Sequence, residues 1–544
     1  MTYKRNETAF FHMEETKRAI VELASCDRLI IYCGAGVTID RTGLAWGDLI
    51  AQLFDTSDRS QSMRDPTAEE LLILRKELTP LQLASVLAER TEEHHNTQKE
   101  ARASLVPKLQ QALYKGSGWQ CGALVSNIIR LSFGLVQLGK SVSIITSNYD
   151  TYLEEEYAHY RGELRSNPQL RRSGAGDIAG LVAKAVGARR TFRDIKSDGN
   201  ADRIDITYLH GRVPPAGGMG GYLALSEKDY HRVSDTVVGA LRDAFSAPRT
   251  GVLMLGTSLT DPPLLRALSE TRPDHGNSAS EGRRIALVPA TSTGFTSSSA
   301  DFGRLVQNLK VRAIHFGVEL LVPDFHFQIA QMCQEILTAV SLPSGVKHYL
   351  VASSSARYGI RLGHWWSTWQ EQQDRLGPEH VHDALAGRLA MIRELLAADD
   401  NAHDPRGELM KVELWARHAP NELRHLALWG GSGGVLRDRS ILHFEELDIN
   451  TRNASVRAFI EGRPQYLSQE ELADNQEIPP GRWNSFLSVP IRIDLPDGTV
   501  PVGVITLASM RDKNSSVIPD GSVRGMTSLV NQLTAVGQEL LQVS

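Results

Sequence analysis

The feature that most constrains this chain is a series of short apolar runs through its first 340 residues. Each ends in glycine or polar residues, and helical patterns separate them. The runs are RLIIYCGAG (28–36), VSIITSNYD (142–150), DITYLHG (205–211), GVLMLGTSL (251–259), RRIALVPA (283–290) and AIHFGVELL (313–321). Short apolar runs of this kind suit strands. Strands alternating with helices imply a doubly wound parallel sheet, an α/β fold of Rossmann-like type. In such sheets ligands bind beyond the carboxyl ends of the strands, where these polar tails lie. The stretch SNYD (147–150) therefore raises a question: why an amide and a carboxylate stand where an ordinary turn would serve.

The chain has 544 residues, too many for one core, so more than one domain is expected. Its 59 Lys and Arg against 64 Asp and Glu leave a net charge of −5, and no long basic block occurs. A phosphate-neutralising nucleic-acid surface is thus not indicated. No apolar window is long enough for a membrane span, and the charged N-terminus lacks a signal-peptide core. Four scattered cysteines (Cys26, Cys33, Cys121, Cys333) form no CxxC pair. This fits a cytoplasmic chain without a disulfide framework or a cysteine-built zinc site.

Within the first unit, 1–340, a helical insertion is expected at about 56–135. A polar insertion of one helix plus loops is expected at about 157–203. His94 and His95 read as solvated residues of a polar helix, and Glu154, Glu155 and Glu156 as first-turn acids favouring the helix dipole. A helical linker over 341–400 follows, in which Trp365, Trp366 and Trp369 have the spacing of packing residues. Residues 401–544 change pattern. MKVELWARHAP and LRHLALWGGSGG read as a hairpin, and SFLSVPIRIDLPDGTVPVGVITLAS as a second, turned at Pro-Asp-Gly. The glycines of 430–434 read as a hairpin turn or loop following a strand, with an anion site as the alternative. This half is an α+β domain with an antiparallel sheet.

Taken singly, the strand-end motifs are weak. Gly34 and Gly36 would let backbone N–H groups approach a phosphate, but a dinucleotide fingerprint would have a third glycine where Ile39 stands. Asn148 and Asp150 could merely cap a turn, and a lone His210 is usually structural. In order along the chain, however, GAGVT, TSNYD, LHG and GTSL resemble the sirtuin family, over roughly residues 20–340. NYD with its following Leu-Glu pair, and LALSEKDY, most resemble prokaryotic sirtuin-like effectors of anti-phage defence. WARHAP…LRHLALWG, VRAFIEGRPQYL and SFLSVPIRI…PVGVITLAS together resemble a GAF domain, a sensor or dimerisation module. Trp429, Arg457 and Trp483 could line a pocket there or serve the core or surface.

The sirtuin resemblance implies site roles. Gly34, Ala35, Gly36 and Thr38 would cradle the NAD pyrophosphate. Asn148 would orient the nicotinamide ribose and water, and Asp150 would hold the carboxamide. His210 would act on the ribose hydroxyls as general base, and Gly256, Thr257 and Ser258 would contact the adenosine side. Two departures matter. The chain carries PPAGGMGG where family deacylases have a zinc module, so no zinc is expected. TGLAWGDLI replaces another family segment, with Trp46 and Leu49 read as packing residues.

Without an acyl-lysine cleft, water becomes the expected nucleophile. The implied activity is hydrolysis of NAD, as substrate, to nicotinamide and ADP-ribose, by a regulated toxic effector in bacterial abortive-infection defence. A small-molecule or protein trigger at the GAF-like domain, and assembly as a homo-oligomer, are the implied partners. The alternatives are a protein deacylase or ADP-ribosyltransferase, and a non-catalytic regulator that binds NAD or ADP-ribose.

Overall fold

In a computed structural model the described residues run from Ala9 to Val543. They omit 56–67, 94, 96, 115–121, 167–178, 187–192, 196–202, 273–282, 290–298, 324, 343–344, 347–348, 350–355, 378, 399–406, 419–424, 434–441, 449–450, 474–481, 496–497 and 519–523. His94, Gly434 and the first two residues of the Pro-Asp-Gly turn lie outside them.

The first unit is built on an eight-stranded sheet: β1 (Arg28–Cys33), β2 (Ser141–Thr146), β3 (Gly180–Ala185), β4 (Arg193–Ile195), β5 (Arg203–Tyr208), β6 (Thr250–Leu255), β7 (Arg284–Leu287) and β8 (Glu319–Leu321). The order is β4-β3-β5-β2-β1-β6-β7-β8. Neighbours run parallel, except that β4 is antiparallel to β3. The side-chain period of two sends alternate residues of one run into two cores. Ile31 and Cys33 join a cluster with helices Glu14–Ser25, Leu124–Gln137 and Phe327–Val340. Ile30 and Tyr32 join another with Glu227–Phe245, Pro262–Glu270 and Ser299–His315. Burial on both sides explains why β1 and β6 are continuously apolar. The chain leaves central β1 toward β2, passes to β3 and edge β4, comes back to β5 beside β2, and then crosses to β6 on β1's other flank. That reversal is the topological switch point.

Two expectations are corrected here. Residues 157–203 are not one helix plus loops: after helix Tyr152–Ser166 the chain adds β3, parallel to β5, and β4. The run GLVAKA is short and carries exposed Lys184, so its periodic signal is slight. Helix Leu124–Gln137, inside the expected 56–135 insertion, is a buried crossover packed on the sheet rather than an appendage. The helices that do stand outside the sheet, Trp46–Asp55, Ala68–Glu77, Pro80–Glu93 and Gln98–Tyr114, share their own small core around Leu49, Ile50, Leu87 and Leu109.

The second unit has a six-stranded antiparallel sheet of β9 (Met410–His418), β10 (His425–Gly431), β11 (Phe444–Glu446), β12 (Gln465–Ser468), β13 (Ser485–Leu495) and β14 (Gly498–Ser509), ordered β11-β10-β9-β14-β13-β12. The stretch expected as a linker is part of this unit. Helices Ala356–Leu376 and His380–Ala398 pack on the sheet beside Arg524–Leu541 in one core. Trp366 and Trp369 meet Trp429 there, and Trp365 stacks on Trp369. The indole N–H groups of Trp365 and Trp369 donate to the carbonyls of Leu541 (2.9 Å) and Leu540 (2.8 Å). Trp429 is therefore a core residue, Arg457 pairs with Glu461 at 3.9 Å, and Trp483 lies under Lys411.

Helix Ala454–Glu461 covers the other face, joining Trp415 and Val504 to Phe325 and Phe327 of the first unit. Gln334 ties the units again, donating to the Asn127 amide oxygen (2.9 Å) and the Thr499 carbonyl (3.0 Å).

Candidate functional site

Strand register brings the motifs together. Cys33 pairs with Thr146 on one side and Leu255 on the other, and Thr146 pairs with Tyr208. Four strands thus end in one row, and Gly34, Ser147, Leu209 and Gly256 begin their tails at one level. Backbone bonds hold these tails. Ser147 N–H donates to the Cys33 carbonyl (3.0 Å), Leu209 N–H to Thr146 (2.9 Å), Gly34 N–H to Leu255 (2.9 Å) and Gly36 N–H to Gly256 (2.9 Å).

The glycine loop and the GTSL turn interlock. A Cβ at Gly34 would stand 2.5 Å from the Gly256 carbonyl oxygen, and one at Gly36 would stand 2.8 Å from the Gly256 Cα. After the loop comes a single 3₁₀ turn, Ala35–Val37, and a four-residue helix, Ile39–Thr42. The helix that follows the glycine loop is therefore only one turn long. Asp40 on it is buried and accepts from Ala123 N–H (2.8 Å) and Leu124 N–H (3.2 Å), capping the crossover helix.

Gly34, Ala35, Thr38, Asn148, Asp150, Gly256, Thr257 and Ser258 all line one cavity of about 640 Å³. Asn148 is fixed on two sides. Its backbone N–H donates to Thr146 Oγ1 (3.0 Å), and its Nδ2 donates to Thr38 Oγ1 (3.3 Å). Thr38 Oγ1 in turn donates to Asp150 Oδ2 (3.1 Å), while Asp150 Oδ1 accepts from Tyr152 N–H (3.3 Å). Asn148 Oδ1, although buried, has no protein partner. Burial pushes the Asp150 carboxyl up to about 6, against the lowering effect of the Tyr152 and Thr38 donors. The opening question is answered structurally: the amide and the carboxylate are two ends of one chain of hydrogen bonds centred on Thr38.

Two sequence candidates lie off the wall. Gly36 is packed behind Gly256 and does not line the cavity. His210 is fully buried and does not line it either. Its ring lies 4.4 Å from that of Tyr230, and its Nε2 lies 3.5 Å from Asp261 Oδ2. Both of those residues do line the cavity.

Motif reading missed Tyr32, Tyr149, Tyr230 and Asp261, and took Trp46 for packing alone; it packs on Tyr149 (5.6 Å between ring centroids) and also lines the cavity. The available signals were Tyr32 at the end of an otherwise aliphatic strand and Asp261 preceding two prolines. The first-turn glutamates exceed their expected dipole role. Glu154 accepts from the Tyr208 hydroxyl (2.9 Å) and from Arg212 (2.6 and 3.0 Å), and Glu156 pairs with Arg41. PPAGGMGG forms a tight loop closed by reciprocal Arg212–Gly220 backbone bonds of 2.9 and 2.7 Å.

Among the described residues no helix is long and apolar enough to cross a membrane. No curated protein matches the chain. Residues 142–314, from β2 into helix Ser299–His315, match the family model of the SIR2-like domain. With the sheet, the switch point and the cavity in place, residues 142–314 are similar to the SIR2-like domain, a type of domain that binds NAD.

Proposed function

We propose that the protein is an NAD glycohydrolase, cleaving NAD to nicotinamide and ADP-ribose, and that its second unit restrains this activity. The observation that carries the reading is Asn148. Its amide is buried in the cavity at the switch point, anchored through Nδ2, and its Oδ1 has no protein partner. Cleavage of the C1′–N bond builds positive charge on the ribose, and a fixed neutral oxygen dipole stabilises that charge without trapping it. Water rather than an acyl-lysine is the acceptor, in keeping with the short Arg212–Gly220 loop where family deacylases carry their zinc module.

Restraint by the second unit, and through it a role as a triggered effector of anti-phage defence, draws support from contacts behind the glycine loop. His326 N–H donates to the Ile460 carbonyl (3.1 Å), while its ring lies 3.4 Å from the Gly36 carbonyl oxygen. Arg463 donates to the Gly43 carbonyl (3.2 Å). A shift of helix Ala454–Glu461, in a GAF-like sensor, would bear directly on this loop.

Cells expressing the protein should lose NAD on phage infection and accumulate nicotinamide in equal amount, and purified protein should do the same at a lower, restrained rate. Turnover only with an added acylated peptide would instead establish a deacylase. Binding of NAD without any turnover, in purified protein and in infected cells alike, would establish a regulator.

A pH dependence follows from Asp150. Its carboxyl, raised to about 6 by burial, is neutral below that value and ionised above it. NAD bound through the carboxylate must displace the proton, so its affinity falls as pH drops through 6, by about tenfold per unit below it. Calorimetry at pH 5 and 7 should show this, and Asp150→Asn should flatten the difference. An equal difference in the variant would remove Asp150 as its source.

A further inference from the structure

We propose that Asp261 is the general base of this site, with His210 and Tyr32 as the residues that position it. The proposal rests on the hydrolase reading above. As water oxygen bonds to C1′, the C1′–N bond breaks and its electron pair leaves on the pyridine nitrogen. The surplus water proton passes to the Asp261 carboxylate and then to solvent, giving nicotinamide, ADP-ribose and one proton. A carboxylate that activates water against an electron-poor sugar carbon is a known solution for glycosidic bonds.

Location carries the first part of the argument. The resemblance makes His210 the base, but in this chain its imidazole is fully buried and off the cavity wall. The residue that its Nε2 faces, Asp261, is on that wall. A base must reach the proton it takes, directly or through one water, and Asp261 meets that condition where His210 does not.

Asp261 also lacks the role an aspartate ordinarily has at its position. Asp261 is the N-cap of helix Pro262–Glu270, where an aspartate usually accepts from the next N–H groups. Pro262 and Pro263 have no N–H to offer, and the side chain makes no capping bond. The carboxylate turns instead to Tyr32, whose hydroxyl donates to Oδ2 at 3.1 Å. The same oxygen lies 3.5 Å from His210 Nε2, a separation of the kind that tightens when ligand binds. Oδ1 has no protein partner.

The surroundings fix these roles. Burial, with the Asp261 charge adding to it, raises the Tyr32 phenol well above its ordinary range, so it stays a donor. Tyr230, raised by the same two causes, stays protonated over the His210 ring. An imidazole with its proton on Nε2 can then face Oδ2, leaving Oδ1 for water.

The test compares steady-state nicotinamide release by Asp261→Asn, His210→Gln and Tyr32→Phe, with ADP-ribose affinity measured alongside by calorimetry. Asp261→Asn should lower kcat by about 10³-fold, with KM and ADP-ribose affinity within threefold of wild type. Its melting temperature should not change, because no capping bond is lost. His210→Gln and Tyr32→Phe should each lower kcat by about tenfold. With Asp261→Ala, added azide should restore nicotinamide release and yield ADP-ribosyl azide, because azide needs no base.

A larger loss for His210→Gln than for Asp261→Asn would overturn the assignment, as would loss of ADP-ribose affinity without loss of kcat. Should Asp261→Asn not fold, the azide product and the Tyr32→Phe result decide. Wild type that binds ADP-ribose yet releases no nicotinamide, in solution and in phage-infected cells alike, refutes the hydrolase reading itself. Wild-type turnover with Asp261→Asn undiminished refutes only the base.

Discussion

Nicotinamide release by Asn148→Ala is expected to fall by about 10²–10³-fold, the usual loss on removing one preorganised group from a site of developing charge. The expectation follows from how the amide is held. Thr146 and Thr38 fix its backbone and its Nδ2, so Oδ1 needs no reorganisation at the moment of reaction. Alanine removes that oxygen and one bond to Thr38. It leaves Thr38 still donating to Asp150, so the wall of the cavity keeps its shape. ADP-ribose should therefore bind the variant within a few-fold of wild type while kcat collapses. If kcat stays within threefold of wild type, Asn148 is only a structural residue and the hydrolase site lies elsewhere.

Gly256→Ala should be the most damaging single methyl group in the first unit. Gly256 has φ of +62°, and a Cβ there would lie 2.4 Å from the Val37 nitrogen and 2.6 Å from the Gly36 carbonyl carbon. Both are backbone atoms of the glycine loop and cannot rotate away. Left-handed backbone alone costs about 1–2 kcal/mol for an L-residue. A backbone clash adds to it, and a total above about 3 kcal/mol is expected. Gly217→Ala supplies the control, since Gly217 also has positive φ (+88°) but no atom within 4 Å of its would-be Cβ. Urea denaturation should show a small loss at 217 and a large one at 256, with NAD binding lost only at 256. Equal losses at the two positions would mean that the loop contact is not tight.

How much of this was legible beforehand depends on whether a signal is local. The strand runs at β1 and β6 were plain, because burial on both faces demands unbroken apolar sequence; β2 and β5, which alternate in part, were marked by the polar tails that follow them. The two hairpins of the second sheet were equally plain from alternation and turn residues. GLVAKA was not, since six residues with a lysine carry too little period to separate strand from loop. The helices over 356–398 read as a linker because their tryptophans show only that something is packed, not what. Their partner is Trp429, sixty residues onward. Asp261 was invisible for a related reason. An aspartate before two prolines is an ordinary helix start, and only the approach of Tyr32, 229 positions away, marks it as something else.

By itself, then, the sequence determined the order of strands and turns, and the polar residues that each turn presents at its strand end. These follow from backbone periodicity and from which side chains tolerate burial. What only the tertiary structure decided is which of those residues reach the cavity. Register set four strand ends level, close packing moved Gly36 and His210 behind the wall, and Asp261 came forward in their place. Distances between strands far apart in the chain are fixed by packing of the whole core, and no local pattern encodes them.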